Sequence, residues 1–211
     1  MSIRLPRRQF LIAASGTATA AGLWPLTGFA APAAVGQAAP DFRLADTAGK
    51  PRSLSEWRGR PVVLEWNNPG CPFVRKHYQG NMQALQKEAA AQGVAWLAIN
   101  STETGSADYL TPPQLARWMQ DRQAAPTATL MDEDGTVGRL YAARVTPHMY
   151  IIDARGVLVY AGGIDSIASA RVEDIARATN HVRAALADLK AGRPVAQAMT
   201  SAYGCSIKYK V

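Results

Sequence analysis

Pro61-Val62-Val63-Leu64-Glu65-Trp66-Asn67-Asn68-Pro69-Gly70-Cys71-Pro72-Phe73-Val74-Arg75-Lys76-His77-Tyr78 decides how this chain is read. Its first six residues form a short β-rich run bounded by Gly59 and by an Asn/Pro/Gly cluster, the pattern of a buried parallel strand. From Pro72 onward Val74, Tyr78, Met82, Leu85 and Ala89 recur three or four apart, which predicts one apolar face of a helix reaching about Gln92. Pro72 suits the first helical turn, where a missing N–H costs nothing. A cysteine therefore stands where a strand turns into a helix.

Working outward, Gly93 stops the helix and Val94 to Asn100 reads as the next strand, completing a βαβ unit. Pro113 to Asp121 reads as a helix, Ala128 to Met131 as a strand and Gly135 to Tyr141 as a short helix. Met149 to Ile152 and Val157 to Gly162 flank the turn Asp153-Ala154-Arg155-Gly156 and predict a hairpin. Asn180 to Ala191 carries Val182, Leu186 and Leu189 on one helical face. Upstream, Asp41 to Ala45 and Pro51 to Ser53 flank a turn at Asp46 to Lys50, and a short helical segment follows near Ser55 to Arg58.

The 211 residues are 48% hydrophobic and 18% charged, which suits one globular domain with an extension. That extension is N-terminal: Arg4, Arg7 and Arg8 precede an uncharged stretch rich in Ala, Gly, Ser and Thr, the form of an export signal. Pro6-Arg7-Arg8-Gln9-Phe10-Leu11-Ile12 resembles a twin-arginine signal, with cleavage expected after Ala30 and Ala31-Pro32-Ala33 as a second site. The expected organisation is a signal over 1–30, a linker over 31–37, the domain over 38–193 and a tail over 194–211 that carries Cys205. The expected location is the periplasm, with transient membrane contact through the signal, or a retained membrane anchor as the alternative. The leader holds three arginines and no acid, so the formal charge of +7 is partly a targeting feature. The remaining basic residues are scattered among acids, which excludes a nucleic-acid footprint.

Cys71 and Cys205 are the two cysteines, too few for a disulfide scaffold. Only a thiolate attacks peroxides or disulfides, and an ordinary thiol with a pKa of about 8.5 is mostly protonated at neutral pH. A helix N-terminus with unpaired N–H groups, aided by Arg75 and Lys76, is expected to lower that value at Cys71. His77 should point away from the helix start and His181 should lie at the surface, so both read as structural.

Three separated segments carry a family likeness: Cys71-Pro72-Phe73-Val74-Arg75-Lys76-His77-Tyr78, Thr146-Pro147-His148-Met149-Tyr150-Ile151-Ile152-Asp153 and Tyr203-Gly204-Cys205-Ser206-Ile207-Lys208-Tyr209. Together they resemble a peroxiredoxin-like subgroup of the redoxin (alkyl hydroperoxide reductase and thiol-specific antioxidant) family, over roughly residues 38 to 211. The resemblance implies an α/β thioredoxin-like fold, with a central mixed sheet flanked by helices, an N-terminal hairpin and a C-terminal tail. It also implies a cis peptide at Thr146-Pro147 beside Cys71, and reduction of peroxides or protein disulfides without a cofactor, the oxidised thiols being restored by an exported dithiol reductant. His148, next to that proline, is a candidate base, thiolate partner or metal ligand.

Departures from the family pattern are specific. Val74 stands where thioredoxins carry a second cysteine, so a dithiol mechanism must recruit Cys205. Leu64 and Asn68 stand where peroxiredoxins carry a proline and a peroxide-orienting Thr or Ser. Asn68 is a candidate replacement donor, and Arg144 a candidate cation for polarising the O–O bond. Cys205 is open to four roles: resolving thiol, permanent disulfide partner, metal ligand with Cys71, or free tail thiol. Two other function classes follow, a copper- or zinc-binding protein using both cysteines and a histidine, and a redox-inactive binding module stapled by a Cys71 to Cys205 disulfide.

Overall fold

The computed structural model describes Met1 and residues 32–210, so the arginine-bearing leader lies outside the described residues. Strands β1 (Arg43–Asp46) and β2 (Pro51–Ser53) form the N-terminal hairpin, and a 3-10 turn at Leu54–Trp57 leads into β3 (Val62–Trp66). There follow α1 (Pro72–His77), α2 (Asn81–Ala91), β4 (Ala95–Asn100), α3 (Pro112–Asp121), β5 (Ala128–Met131) and α4 (Thr136–Leu140). The chain closes with β6 (Val145–Thr146), β7 (His148–Ile152), β8 (Leu158–Gly162), α5 (His181–Lys190) and β9 (Cys205–Ser206).

Seven of these strands make one sheet in the order β2-β1-β5-β4-β3-β7-β8. β3 runs parallel to β4, pairing Val62 with Ala95 through Trp66 with Ile99, and antiparallel to β7, pairing Val62 with Ile152 through Trp66 with His148. The sheet is therefore mixed, and β3, paired on both sides, is buried along its whole length. Alternation along β3 divides the core in two. Val63 faces a layer built with Val74, Tyr78, Met82, Leu85, Leu115, Val182 and Leu186, whereas Leu64 and Trp66 face Phe42, Trp57, Tyr141 and Tyr150. Helices cover the first face, and the N-terminal hairpin region with α4 covers the second.

The helix predicted from Pro72 to Gln92 is two helices. Gly80, at φ +117, breaks it after α1, and its N–H is held by Gln83 Oε1 at 3.0 Å at the start of α2. Apolar spacing gave no warning, because Tyr78 stays on the core face while the backbone turns. Residues 36 to 39, at the end of the expected linker, run beside the turn and start of β8: Gly36 N–H donates to Leu158 O at 2.8 Å and Ala39 N–H to Gly156 O at 2.8 Å.

The tail is laced back onto the domain. β9 pairs with β6, setting Cys205 opposite Thr146 and Ser206 opposite Val145, a pairing that no periodicity in the tail announced. Glycines make room for it: a Cβ at Gly138 would stand 2.2 Å from Tyr209 Oη, and one at Gly163 would stand 2.7 Å from Ser201 O. Among the described residues no helix is long and apolar enough to cross a membrane.

Candidate functional site

Cys71 is the N-cap of α1, with extended backbone (φ −77°, ψ 123°) and Pro72 in the first turn behind it. The loop from β3 is fixed by Asn68, whose Oδ1 accepts from Gly70 N–H at 2.7 Å and whose Nδ2 donates to Thr102 Oγ1 at 3.1 Å. Cys71 N–H donates to Asn68 O at 3.0 Å. The side chain is only 2% exposed. Across from it the Thr146-Pro147 peptide is cis, as the resemblance implied, and Cys71 Sγ–H donates to Thr146 O at 3.0 Å.

Both cysteines are free thiols and their side chains meet. Burial pushes the Cys71 thiol up. Hydrogen bonds from Thr146, from the Cys205 thiol and N–H and from Val74 N–H outweigh burial and hold it below the usual thiol value. Thr146 acts both ways here. Its carbonyl favours the protonated sulfur, while its hydroxyl is buried with no fixed partner and favours the thiolate. Cys205 moves in the opposite direction, pushed up to about 11 by burial and then by the neighbouring Cys71. The two environments are thus unequal: that of Cys71 favours the thiolate, and that of Cys205 favours the protonated thiol.

The expected cationic help is absent from the sulfur. Arg75 is exposed and its Nε donates to Pro69 O at 2.7 Å. Lys76 is buried and reaches Asp165 Oδ2 at 3.4 Å. Asn68, the expected replacement donor, bonds through both ends of its amide to Thr102 and Gly70. Arg144 is exposed, and its N–H and C=O engage His148 Nδ1 at 3.4 Å and Ile207 N–H at 3.0 Å.

His148 sits on the other face of the sheet from the Cys71 layer. Strand alternation puts it on the same face as Tyr150, its ring tilted 44° to that of Tyr150 with centroids 4.5 Å apart and Nδ1 3.1 Å from Tyr150 Oη, while Met149 faces the Cys71 layer. Burial, then Arg144, pulls its pKa down to about 4, so it is a neutral core histidine. His181 is half-buried. His77 is fully buried, its pKa pulled down to about 4 by burial against the opposing pull of Asp165. Among the described residues no group of three or more His, Cys, Asp or Glu is placed to hold a metal ion.

Two polar clusters beneath the site went unread. Glu65, in the middle of β3, is fully buried and accepts from Trp96 Nε1 at 2.7 Å, Tyr78 Oη at 2.8 Å and Asn67 Nδ2 at 2.9 Å, and burial raises its pKa. A carboxylate inside an apolar strand was its signal. The second cluster gathers on Asp165: Lys76 Nζ, a short hydrogen bond from Tyr203 Oη, and His77 Nε2 at 3.7 Å, with His77 also 3.2 Å from Tyr203 Oη. Its members come from three distant stretches: Lys76 and His77 lie in the first family-like segment and Tyr203 in the third, and Asp165, which joins them, lies in neither.

A strand-to-helix cysteine facing a cis-proline turn across a mixed sheet defines a thioredoxin-fold thiol site. The chain belongs to the AhpC/TSA family, whose model matches residues 35–161. It is 28% identical over 128 residues to the thiol:disulfide interchange protein DsbE of Vibrio cholerae, covering 60% of this chain and 63% of that protein, so less than two thirds of that relative's length. It is 30% identical over 123 residues to the thioredoxin-like protein YneN of Bacillus subtilis, covering 58% and 68%. Among solved structures, a hypothetical protein of Sinorhizobium meliloti superposes with a TM-score of 0.73 at 24% identity, over 84% of this chain and 96% of that one. An uncharacterized conserved protein of Geobacillus kaustophilus gives 0.71 at 29% identity, over 84% and 93%.

Proposed function

We propose that this protein is an exported thiol oxidoreductase in which Cys71 attacks a peroxide or a disulfide and Cys205 resolves the product. The observation that carries the reading is the pairing of β9 with β6, which brings a proton-bearing thiol against a sulfur whose surroundings favour the thiolate. Family membership and the thiol:disulfide interchange relative support redox chemistry in general. Export rests on the leader sequence.

With a hydroperoxide, the Cys71 thiolate takes the terminal oxygen: an S–O bond forms, the O–O bond breaks and the alkoxide leaves with a proton as the alcohol. Cys205 then attacks the sulfenic sulfur, an S–S bond forms and water leaves. With a disulfide, Cys71 displaces one thiol into a mixed disulfide and Cys205 displaces the other. Either route ends in a Cys71 to Cys205 disulfide, which an external dithiol reduces back.

Turnover of hydrogen peroxide and of an insulin disulfide by the unsubstituted protein, Cys71→Ser and Cys205→Ser tests this. Cys71→Ser should abolish turnover of the substrate used, and Cys205→Ser should allow one reaction and then stall. Full turnover by Cys71→Ser would refute the reading.

A further inference from the structure

Cys71 sits at the end of β3, where α/β folds are open to ligands, yet it is 2% exposed. Part of the cover is the protein's own tail. Cys205 lies against the sulfur, and the Tyr203 ring packs edge-on against Phe73 at 5.8 Å. Beside the sulfur, the backbone of β6 is already used. Cys205 stands opposite Thr146, Ile207 N–H donates to Arg144 O at 3.0 Å, and Gly204 comes so close that a Cβ there would lie 1.9 Å from Thr146 O. A disulfide-bearing polypeptide that approached Cys71 by adding a strand to this backbone would find the place filled.

The tail is held at several points, among them the hydrogen bonds from Gly163 N–H to Thr200 Oγ1, from Glu103 N–H to Lys208 O and from Tyr209 Oη to Ala143 O, and Tyr203 is the side-chain anchor beside Cys205. Tyr203, two residues from Cys205, sends its hydroxyl into the Asp165 cluster, where Lys76 Nζ and His77 Nε2 converge among buried side chains. Lys76 also lies 5.7 Å from the centroid of the Tyr203 ring. A buried carboxylate that loses one donor is left incompletely paired, and a bond to a charged group is worth more than a neutral one. Ser201 and Ser206, on either side, are exposed.

We propose that residues 199–209 form a strap that closes Cys71 to extended polypeptides while it presents Cys205, with Tyr203 as its latch and specificity-determining residue. This rests on Cys71 being the reactive thiol of the proposed function, but its test does not need turnover. The Cys205→Ser protein keeps Cys71 as its one thiol. Two reagents are compared on it: methyl methanethiosulfonate, and an eight-residue peptide whose cysteine is activated as a 2-thiopyridyl disulfide. In the first, the Cys71 thiolate bonds to the methylthio sulfur and methanesulfinate leaves. In the second, it bonds to the peptide sulfur and 2-thiopyridone leaves, read by absorbance. Both rates are normalised to those of a free cysteine peptide.

The strap predicts a normalised peptide rate far below that of the small reagent. Adding Tyr203→Phe, which keeps the ring against Phe73, should raise the peptide rate about tenfold, equal to ~1.4 kcal/mol lost from the closed form, and the small-reagent rate less than about twofold. Gly204→Ala, which drives a Cβ into Thr146 O, should move the ratio the same way if Tyr203→Phe does not fold. A peptide rate matching the small reagent from the outset, or a ratio unmoved by both variants, would overturn the strap. Failure of the oxidoreductase reading shows separately, as equal turnover with and without Cys71.

Discussion

At Cys71 the balance between two protonation states is set by individual hydrogen bonds and not by nearby cations. Burial and the Thr146 carbonyl favour S–H, whereas donors from the Thr146 hydroxyl, from Cys205 and from Val74 favour S⁻. The rate of iodoacetamide addition to Cys71 should therefore rise to its plateau at a pH below the ordinary thiol value, and Cys205→Ala, which removes a donor to the thiolate, should move that midpoint upward. An unchanged midpoint in Cys205→Ala would mean that the tail thiol does not influence Cys71. The lowered value also means that the Cys71 contribution to stability is complete above the unfolded-state pKa and disappears as pH falls through the folded one. Cys205 has the opposite sign: its contribution is complete below the unfolded pKa and is lost as pH rises through about 11. Cys71 was legible because a lone cysteine between a β-rich run and a Pro-led helix has few other readings. His148 and Lys76 were not, since a strand register and an aspartate 89 positions away decide where their side chains go. Glu65 carries a further prediction at this scale. Glu65→Leu leaves the donors of Trp96, Tyr78 and Asn67 buried and unpaired, so urea unfolding should show a loss of about 3 kcal/mol or more.

Among the elements, α1 and α2 show what periodicity can and cannot reveal. The apolar face predicted from Pro72 to Gln92 exists, but one glycine splits it, and a hydrophobic pattern is blind to a single residue at φ +117. A Cβ at Gly80 would meet nothing within 4 Å, so Gly80→Ala isolates the backbone cost. It should destabilise by about 1–3 kcal/mol in denaturant unfolding without altering the titration of Cys71. The mixed sheet was readable strand by strand: Ala128–Met131 falls where its sequence placed it, and the β7–β8 hairpin turns on the expected Asp153 to Gly156. β6 and β9 were not readable, because strands of two residues have no period to detect and exist only through each other.

At the scale of the whole molecule, the site is assembled from three separated stretches: the first βαβ unit, the cis-proline turn at Thr146-Pro147 and the tail around Cys205. Gly138 and Gly163 leave room for Tyr209 and Ser201, Thr200 Oγ1 accepts from Gly163 N–H at 3.0 Å, and Tyr209 Oη donates to Ala143 O at 2.8 Å. Oxidation would convert this reversible docking into a covalent closure of most of the chain. In the chain-entropy model a loop of that length stabilises by about 4–5 kcal/mol, so the oxidised protein should unfold at higher denaturant than the reduced one, with strain subtracting from that gain. The measurement that tests the central claim most directly is a peptide map of the reduced protein after one equivalent of hydrogen peroxide, taken together with a thiol count. The pairing of Cys205 with Thr146 beside the Cys71 sulfur predicts loss of both thiols and recovery of a single Cys71 to Cys205 cross-linked peptide. Recovery of Cys205 as a free thiol, with Cys71 either untouched or oxidised on to the sulfinic acid, would contradict it.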